Sequence, residues 1–225
     1  MLNQTVLAVI TARGGSKRIP RKNLQKLGNE TLLERTVKAS LVSKCVNKTV
    51  LSSDCAVLIK EAQKYGCEVP FTRPFELATD NARSEDVLEH AINNLPRFDW
   101  ALLLQPTSPF RTAEDINLAF SLVKKLDRKS CVGVTRAAPT LSLTNKHLFK
   151  GYVFDPITQQ QQQSRKGPGV TFKLNGAIYL IEVSHFLCTK KLVDEDTIGV
   201  EMSARKSIDI DTFEDLKLAS LLVEN

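Results

Sequence analysis

The sequence lacks the signatures of several protein classes. No C-x-x-C pair occurs, and the five cysteines (Cys45, Cys55, Cys67, Cys131 and Cys188) are scattered and odd in number. That argues against a disulfide framework and against a structural zinc site. It fits a reducing cytoplasm in which the thiols pack as small apolar groups. No apolar run approaches the length of a membrane span. The N-terminal run is too short for a secretory leader and ends in Arg13. The expectation is a cytoplasmic protein with no membrane partner. The G-x-G-x-x-G fingerprint of dinucleotide-binding folds is missing, and so is the G-x-x-x-x-G-K-[ST] of P-loop proteins. No acidic residue precedes Glu30.

What is present at the N-terminus is the stretch VLAVITARGGSKRIPRKN, residues 6–23. An apolar β-run feeds into a small-residue turn at Gly14, Gly15 and Ser16. Six cations then crowd the loop: Arg13, Lys17, Arg18, Arg21, Lys22 and Lys26. A glycine turn lets backbone N–H groups approach an anion closely. Arginine adds a two-pronged fork suited to phosphate oxygens. A strand ending in such a loop is a candidate polyphosphate cradle. The plainer alternative is a solvated βα connection. The formal net charge of +6 favours anionic partners without choosing among them. The basic loop contains no aromatic residue, and single-stranded nucleic-acid binders interleave the two. A nucleic-acid partner is therefore not expected.

The 225 residues fit one α/β domain with an appended arm. Strand and helix patterns alternate. Helical stripes run over residues 30–43, 56–65, 84–95 and 112–126, with Ser84 and Thr112 read as N-caps and Gly66 as a C-terminal stop. Short β-runs fall at 48–52, 69–71, 100–104, 131–135 and 177–181, with a last one near 206–210 before a helix over 213–223. This rhythm predicts a doubly wound, mainly parallel α/β sheet with helices on both faces, over residues 1–136 and 173–225. Ligands of such sheets bind outside the carboxyl ends of the strands. The rhythm breaks over 137–172, which holds three prolines and a glutamine run at 159–163 read as a polar loop. That segment is expected to form an inserted arm or small dimerisation subdomain.

Asp209-Ile210-Asp211 is the second constellation. Extended residues two apart share a face, so the pair presents two carboxylates with an apolar residue turned inward between them. Mg²⁺ is commonly held by one or two carboxylates plus substrate phosphates. Helix capping is the competing explanation, but it covers Asp211 and not Asp209. The two prolines of residues 105–109 stiffen a loop that leaves Gln105 at the end of a buried strand. His90, His147 and His185 are isolated, and no Ser-His-Asp or Cys-His nucleophile set is evident.

Together these segments resemble the CMP-sialic acid synthetases, the acylneuraminate cytidylyltransferase family. The resemblance rests on ARGGSKRIPRKN, the Ser52-Ser53-Asp54 turn, RPFELATDNARS (73–84), LLQPTSPFR (103–111), NGAIY (175–179) and SIDIDTFEDL (207–216). It implies a Rossmann-like nucleotidyltransferase that activates a sialic-acid-like 2-keto sugar acid with CTP, releasing pyrophosphate. By that resemblance Arg13, Ser16, Lys17 and Lys22 fall in the triphosphate loop. Asn23, Arg73, Ala82 and Ser84 fall around the cytidine, and Gln105 on the sugar side. Asp209 and Asp211 match magnesium carboxylates. Arg165 and Lys173 fall where the family places basic residues of an arm that reaches a neighbouring subunit's sugar site, which implies a homodimer. Two departures lie on that sugar side. Lys173-Leu174 replaces the usual Arg-Pro before NGAIY, and residues 137–141 lack a histidine-proline pattern. They bear on which acid is accepted more than on CTP. The close alternative is a 3-deoxy-manno-octulosonate cytidylyltransferase. A basic nucleic-acid module and an inactive nucleotide sensor are more distant ones.

Overall fold

A computed structural model describes residues 4–137, 149–154, 161–163 and 171–223. Ten strands and six helices follow in chain order: β1 (Val6–Thr11), β2 (Lys26–Leu27), β3 (Glu30–Thr31), α1 (Leu32–Val42), β4 (Lys48–Ser52), α2 (Ala56–Lys64), α3 (Ser84–Asn93), β5 (Trp100–Leu104), α4 (Ala113–Leu126), β6 (Ser130–Arg136), β7 (Tyr152–Phe154), β8 (Gln161–Gln163), β9 (Phe172–Glu182), α5 (Val183–Thr189), β10 (Thr197–Glu201) and α6 (Phe213–Val223). Eight strands form one sheet in the order β4-β1-β5-β9-β6-β10-β7-β8, and β2 pairs with β3 as a small hairpin.

The half that carries the site is parallel: β1 lies between β4 and β5. These strands read as near-continuous apolar runs because helices cover both faces. Trp100, Ala101, Leu102, Leu103 and Leu104 are all buried. Register aligns their carboxyl ends, with Thr11 opposite Ser52 and Ile10 opposite Leu104. The loops after β1, β4 and β5 therefore leave the sheet side by side.

β9 runs antiparallel between β5 and β6 and carries a register shift opposite Val132 and Val134. Gly176 sits at that irregularity with φ +74°, a left-handed conformation that favours glycine. A Cβ there would lie 3.3 Å from Gln105 Oε1, so the glycine also makes room for that side chain.

Local signals explain several helix ends. Thr31 caps α1: its hydroxyl accepts from Glu34 N–H at 3.0 Å, while the Glu34 carboxylate accepts from Thr31 N–H at 3.3 Å. Thr112 precedes α4, and its N–H donates to Asp115 at 2.9 Å. Gly66, with φ +85°, follows α2.

The structure corrects several sequence expectations. Arg83 rather than Ser84 is the N-cap of α3, and Ser84 is its first residue. Residues 69–71 form no strand, and the chain there makes only a bridge from Glu68 to Val50. The glutamine run was read as a loop, but Gln161–Gln163 pairs with β7 as β8. Residues 206–210 are a 3₁₀ turn (Arg205–Ser207) and extended loop rather than a strand. The strand in that part of the chain is β10, whose Gly199 obscures its pattern. A Cβ there would meet Phe149 at 2.9 Å, so close packing requires the glycine. Within 137–172, β7 and β8 lie on the edge of the main sheet. Much of the proposed arm, Arg165 included, lies outside the described residues. No helix among the described residues is long and apolar enough to cross a membrane.

Candidate active site

The loops at the carboxyl ends of β1 and β5, the segment from Arg73 to Val87, and Asp209 and Asp211 line a cleft of about 310 Å³. Of the sequence-predicted site residues, Arg13, Ser16, Lys22, Asn23, Arg73, Ala82, Ser84, Gln105, Asp209 and Asp211 line it. Lys17 lines the adjoining outer part, together with Arg13, Arg18 and Lys22. Lys173 sits on β9 opposite Thr135 and does not border this cleft.

The basic loop is shaped by its own apolar and small residues. Ile19 is fully buried in a cluster with Leu27, Leu32, Ile210 and Ala219. A fully buried side chain of this kind contributes roughly 1.5–3 kcal/mol. Ile19 therefore anchors the loop while its charged neighbours stay in the cleft. Gly14 packs against the turn after β4, where a Cβ would meet Cys55 Cβ at 2.9 Å. Its N–H donates to Asp54 Oδ1 at 2.9 Å, so a carboxylate already holds this expected anion donor. Asn23 is buried and donates to the Arg13 carbonyl at 3.3 Å, closing the loop on itself.

Arg73 is buried beneath the cleft. Its Nε donates to Ser52 Oγ at 3.0 Å and its Nη2 to the Ser52 carbonyl at 2.5 Å. Burial pushes its pKa down to about 10, with Asp54 nearby acting the other way. It fixes the 73–84 segment to the end of β4.

The acidic wall comes from the far end of the chain. Ile210 is fully buried, and Asp209 and Asp211 flank it at the cleft, as the sequence pattern predicted. The alternation survives although the segment is not a strand. Ile210 N–H donates to the Thr107 carbonyl at 2.8 Å, which lays the two loops side by side. Partial desolvation raises the Asp209 pKa from its ordinary value, while the nearby Thr107 hydroxyl opposes that rise. Asp211 accepts from Lys22 at 2.8 Å and lies 3.5 Å from Arg18. Asn175 supports this wall from β9, donating to Ser207 Oγ at 3.0 Å.

Sequence reasoning missed two residues. Thr107, quoted only as part of a stiff loop, lines the cleft and accepts from the Ile210 N–H between the two acids. Asp80, quoted in the 73–84 segment without a role, accepts from Arg13 at 2.6 Å and also pairs with Lys17. The signal for Asp80 was indirect. A loop of six cations with no acid of its own needs counter-ions from elsewhere in the chain.

The fold is of the α/β class, with parallel strands that end at a cation-lined, acid-walled cleft. Residues 7–221 match the family described as Cytidylyltransferase. The chain belongs to that family. Among curated relatives, a "CMP-N,N'-diacetyllegionaminic acid synthase" of Legionella pneumophila is 36% identical over 227 residues, covering 97% of this chain and 96% of its own length. An "N-acylneuraminate cytidylyltransferase" of Escherichia coli is 32% identical over 95% of this chain, which spans only 51% of that longer protein. A solved "CMP:2-keto-3-deoxy-manno-octonic acid synthetase complexed with CTP" superposes with a TM-score of 0.76, covering 98% of this chain and 99% of that one. At 15% identity this last likeness shows the fold alone.

Proposed function

We propose that this cytidylyltransferase couples CTP to a nonulosonic acid, a sialic-acid-like 2-keto sugar, giving the CMP-sugar and pyrophosphate. The observation that carries the reading is the meeting of Lys22 with Asp211, which joins the basic loop and the acidic wall in one cleft. The names of the Legionella and Escherichia relatives supply the substrate class.

Arg13, Lys17 and Lys22 would hold the triphosphate and offset the charge that develops on departing pyrophosphate. Ser16 would donate to a phosphate oxygen. Asn23, Arg73, Ala82 and Ser84 would shape the cytidine pocket, with Arg73 acting through its grip on Ser52. Gln105 would orient the sugar. The described residues offer no nucleophilic triad, and the sugar hydroxyl itself would attack in line. His185, for example, is tied to Asp194 at 2.6 Å, away from the cleft.

The site fits a magnesium ion. Asp209 and Asp211 both open to the cleft, and two carboxylates plus phosphate oxygens suit a hard dication. When bound, the ion would polarise phosphate oxygens and sharpen the acidity of the attacking hydroxyl. Asp209 and Asp211 would hold the ion, and Lys22, now paired with Asp211, would be available to phosphate.

Incubation with CTP, Mg²⁺ and a panel of acids tests the reading. The panel comprises sialic, legionaminic, pseudaminic and 3-deoxy-manno-octulosonic acids, with pyrophosphate and CMP-sugar quantified. Turnover of a nine-carbon acid supports it, whereas turnover of the eight-carbon acid alone would replace it. A homodimer is proposed on the resemblance and on the break of rhythm over 137–172, with Lys173 near a neighbouring sugar site. Cytoplasmic residence is proposed on the odd, scattered cysteines.

A further inference from the structure

We infer that Asp80 is a resident counter-ion of the phosphate cradle: it holds Arg13 and Lys17 in the free protein and competes with a nucleotide's polyphosphate for them. The inference rests on the proposed reading of the cleft as a CTP site.

The outer cleft is lined by four cations, Arg13, Lys17, Arg18 and Lys22, and by two carboxylates, Asp80 and Asp211. They divide two to one. Asp211 takes Lys22 at 2.8 Å and Arg18 at 3.5 Å. Asp80 takes Arg13 at 2.6 Å and Lys17. A triphosphate carries enough charge and enough acceptor oxygens to engage all four cations, and phosphate suits the arginine fork. Both acids must then yield.

The two acids differ in what remains to them. Asp211 has Asp209 two residues away and a hard cation to bind with it. Asp80 comes from the 73–84 segment and has Ala78 and Ala82, not an acid, two residues away. Once displaced, Asp80 returns to water, which is inexpensive because its side chain is already 43% exposed. The cations hold its carboxyl below the usual range, Lys17 first and then Arg13.

Asp80 also connects two parts of the site. Its segment carries Ala82 and Ser84 on the base side of the cleft, and Arg13 Nη1 reaches the Ala78 carbonyl at 3.5 Å. The free-state ion pairs thus hold the base-side segment against the phosphate loop. Phosphate entry exchanges that hold for its own.

The test is calorimetric titration of the metal-free full chain with inorganic tripolyphosphate at low ionic strength. Asp80→Asn is expected to bind about two- to tenfold more tightly than the native chain, the range set by two partly exposed ion pairs. Asp80→Ser should follow it. Glu76→Gln removes the same charge from the same segment outside the cleft lining and should leave affinity unchanged. Lys22→Ala should bind more weakly. Unchanged or weaker binding by Asp80→Asn, with Lys22→Ala still weakened, overturns the counter-ion and leaves the site intact. Equal tightening by Glu76→Gln reduces the effect to net charge and also overturns it. If the native chain and every variant ignore tripolyphosphate, the reading of the cleft itself fails.

Discussion

Lys22 Nζ lies 2.8 Å from Asp211 Oδ1, although 189 positions separate the two residues in the chain. The Lys22 side chain is only 16% exposed, so this is not an incidental surface pair. Ile19 and Ile210, buried in one cluster, hold the two segments together beneath it. The apolar contact brings the loops together, and the ion pair then keeps opposite charges in register over the cleft.

Removing the cation should act on chemistry rather than folding. Lys22→Ala is expected to lower CTP-dependent turnover by about 100-fold or more, the scale of losing a group that meets developing charge. The circular dichroism spectrum and thermal midpoint should stay within a few degrees of native. Steady-state pyrophosphate release and a melting curve together check this.

The acids should behave as a pair. The double variant Asp209→Asn with Asp211→Ala is expected to lose turnover while remaining folded, and EDTA should do the same to the native chain reversibly. Readdition of Mg²⁺ should restore the native chain and not the variant. Full activity in the double variant, read by pyrophosphate release, would refute the metal assignment.

Neighbouring glycines should respond differently. Gly14→Ala places a Cβ 2.9 Å from Cys55 Cβ, whereas a Cβ on Gly15 meets nothing within 4 Å. Overpacking of this kind costs about 1–3 kcal/mol. Gly14→Ala should therefore shift the urea midpoint down, and Gly15→Ala should leave it near native.

Arg111 is a structural tie under the cleft. It is buried, and its Nη1 donates to the Ala177 carbonyl at 2.8 Å and the Gln105 carbonyl at 3.3 Å, linking β9 to the loop after β5. Burial pushes its pKa down to about 10, and its Nε and Nη2 have no hydrogen-bond partner among the described residues. Arg111→Ala removes both ties and opens a cavity. A loss of about 2–4 kcal/mol in equilibrium unfolding is expected.

Thiol reactivity should follow burial. Cys188 is exposed, while burial pushes the Cys67 pKa up to about 12 and that of Cys131 higher still. The thiolate is the reactive form. An aromatic disulfide reagent at neutral pH should modify Cys188 first, and Cys188→Ser should abolish that fast phase. Cys67 and Cys131 should react only on unfolding.

The sequence by itself determined the elements whose signal is local. The apolar runs at Val6–Thr11 and Trp100–Leu104 became neighbouring parallel strands because burial on both faces of a sheet demands such runs, and the helix expected over 213–223 formed as α6. The inward turn of Ile210 between two outward acids was legible too, since any extended backbone alternates its side chains. It was not legible that this segment is a loop, that β10 is the strand beside β6, or that Gln161–Gln163 pairs with β7. Those outcomes depend on which backbone groups find partners across the fold. Tertiary structure alone decided the counter-ions, giving Asp54 to the Gly14 N–H, Asp80 to Arg13 and Lys17, and Asp211 to Lys22. Charge composition states that cations need acids nearby, but only the packing of distant loops selects which acid stands within reach.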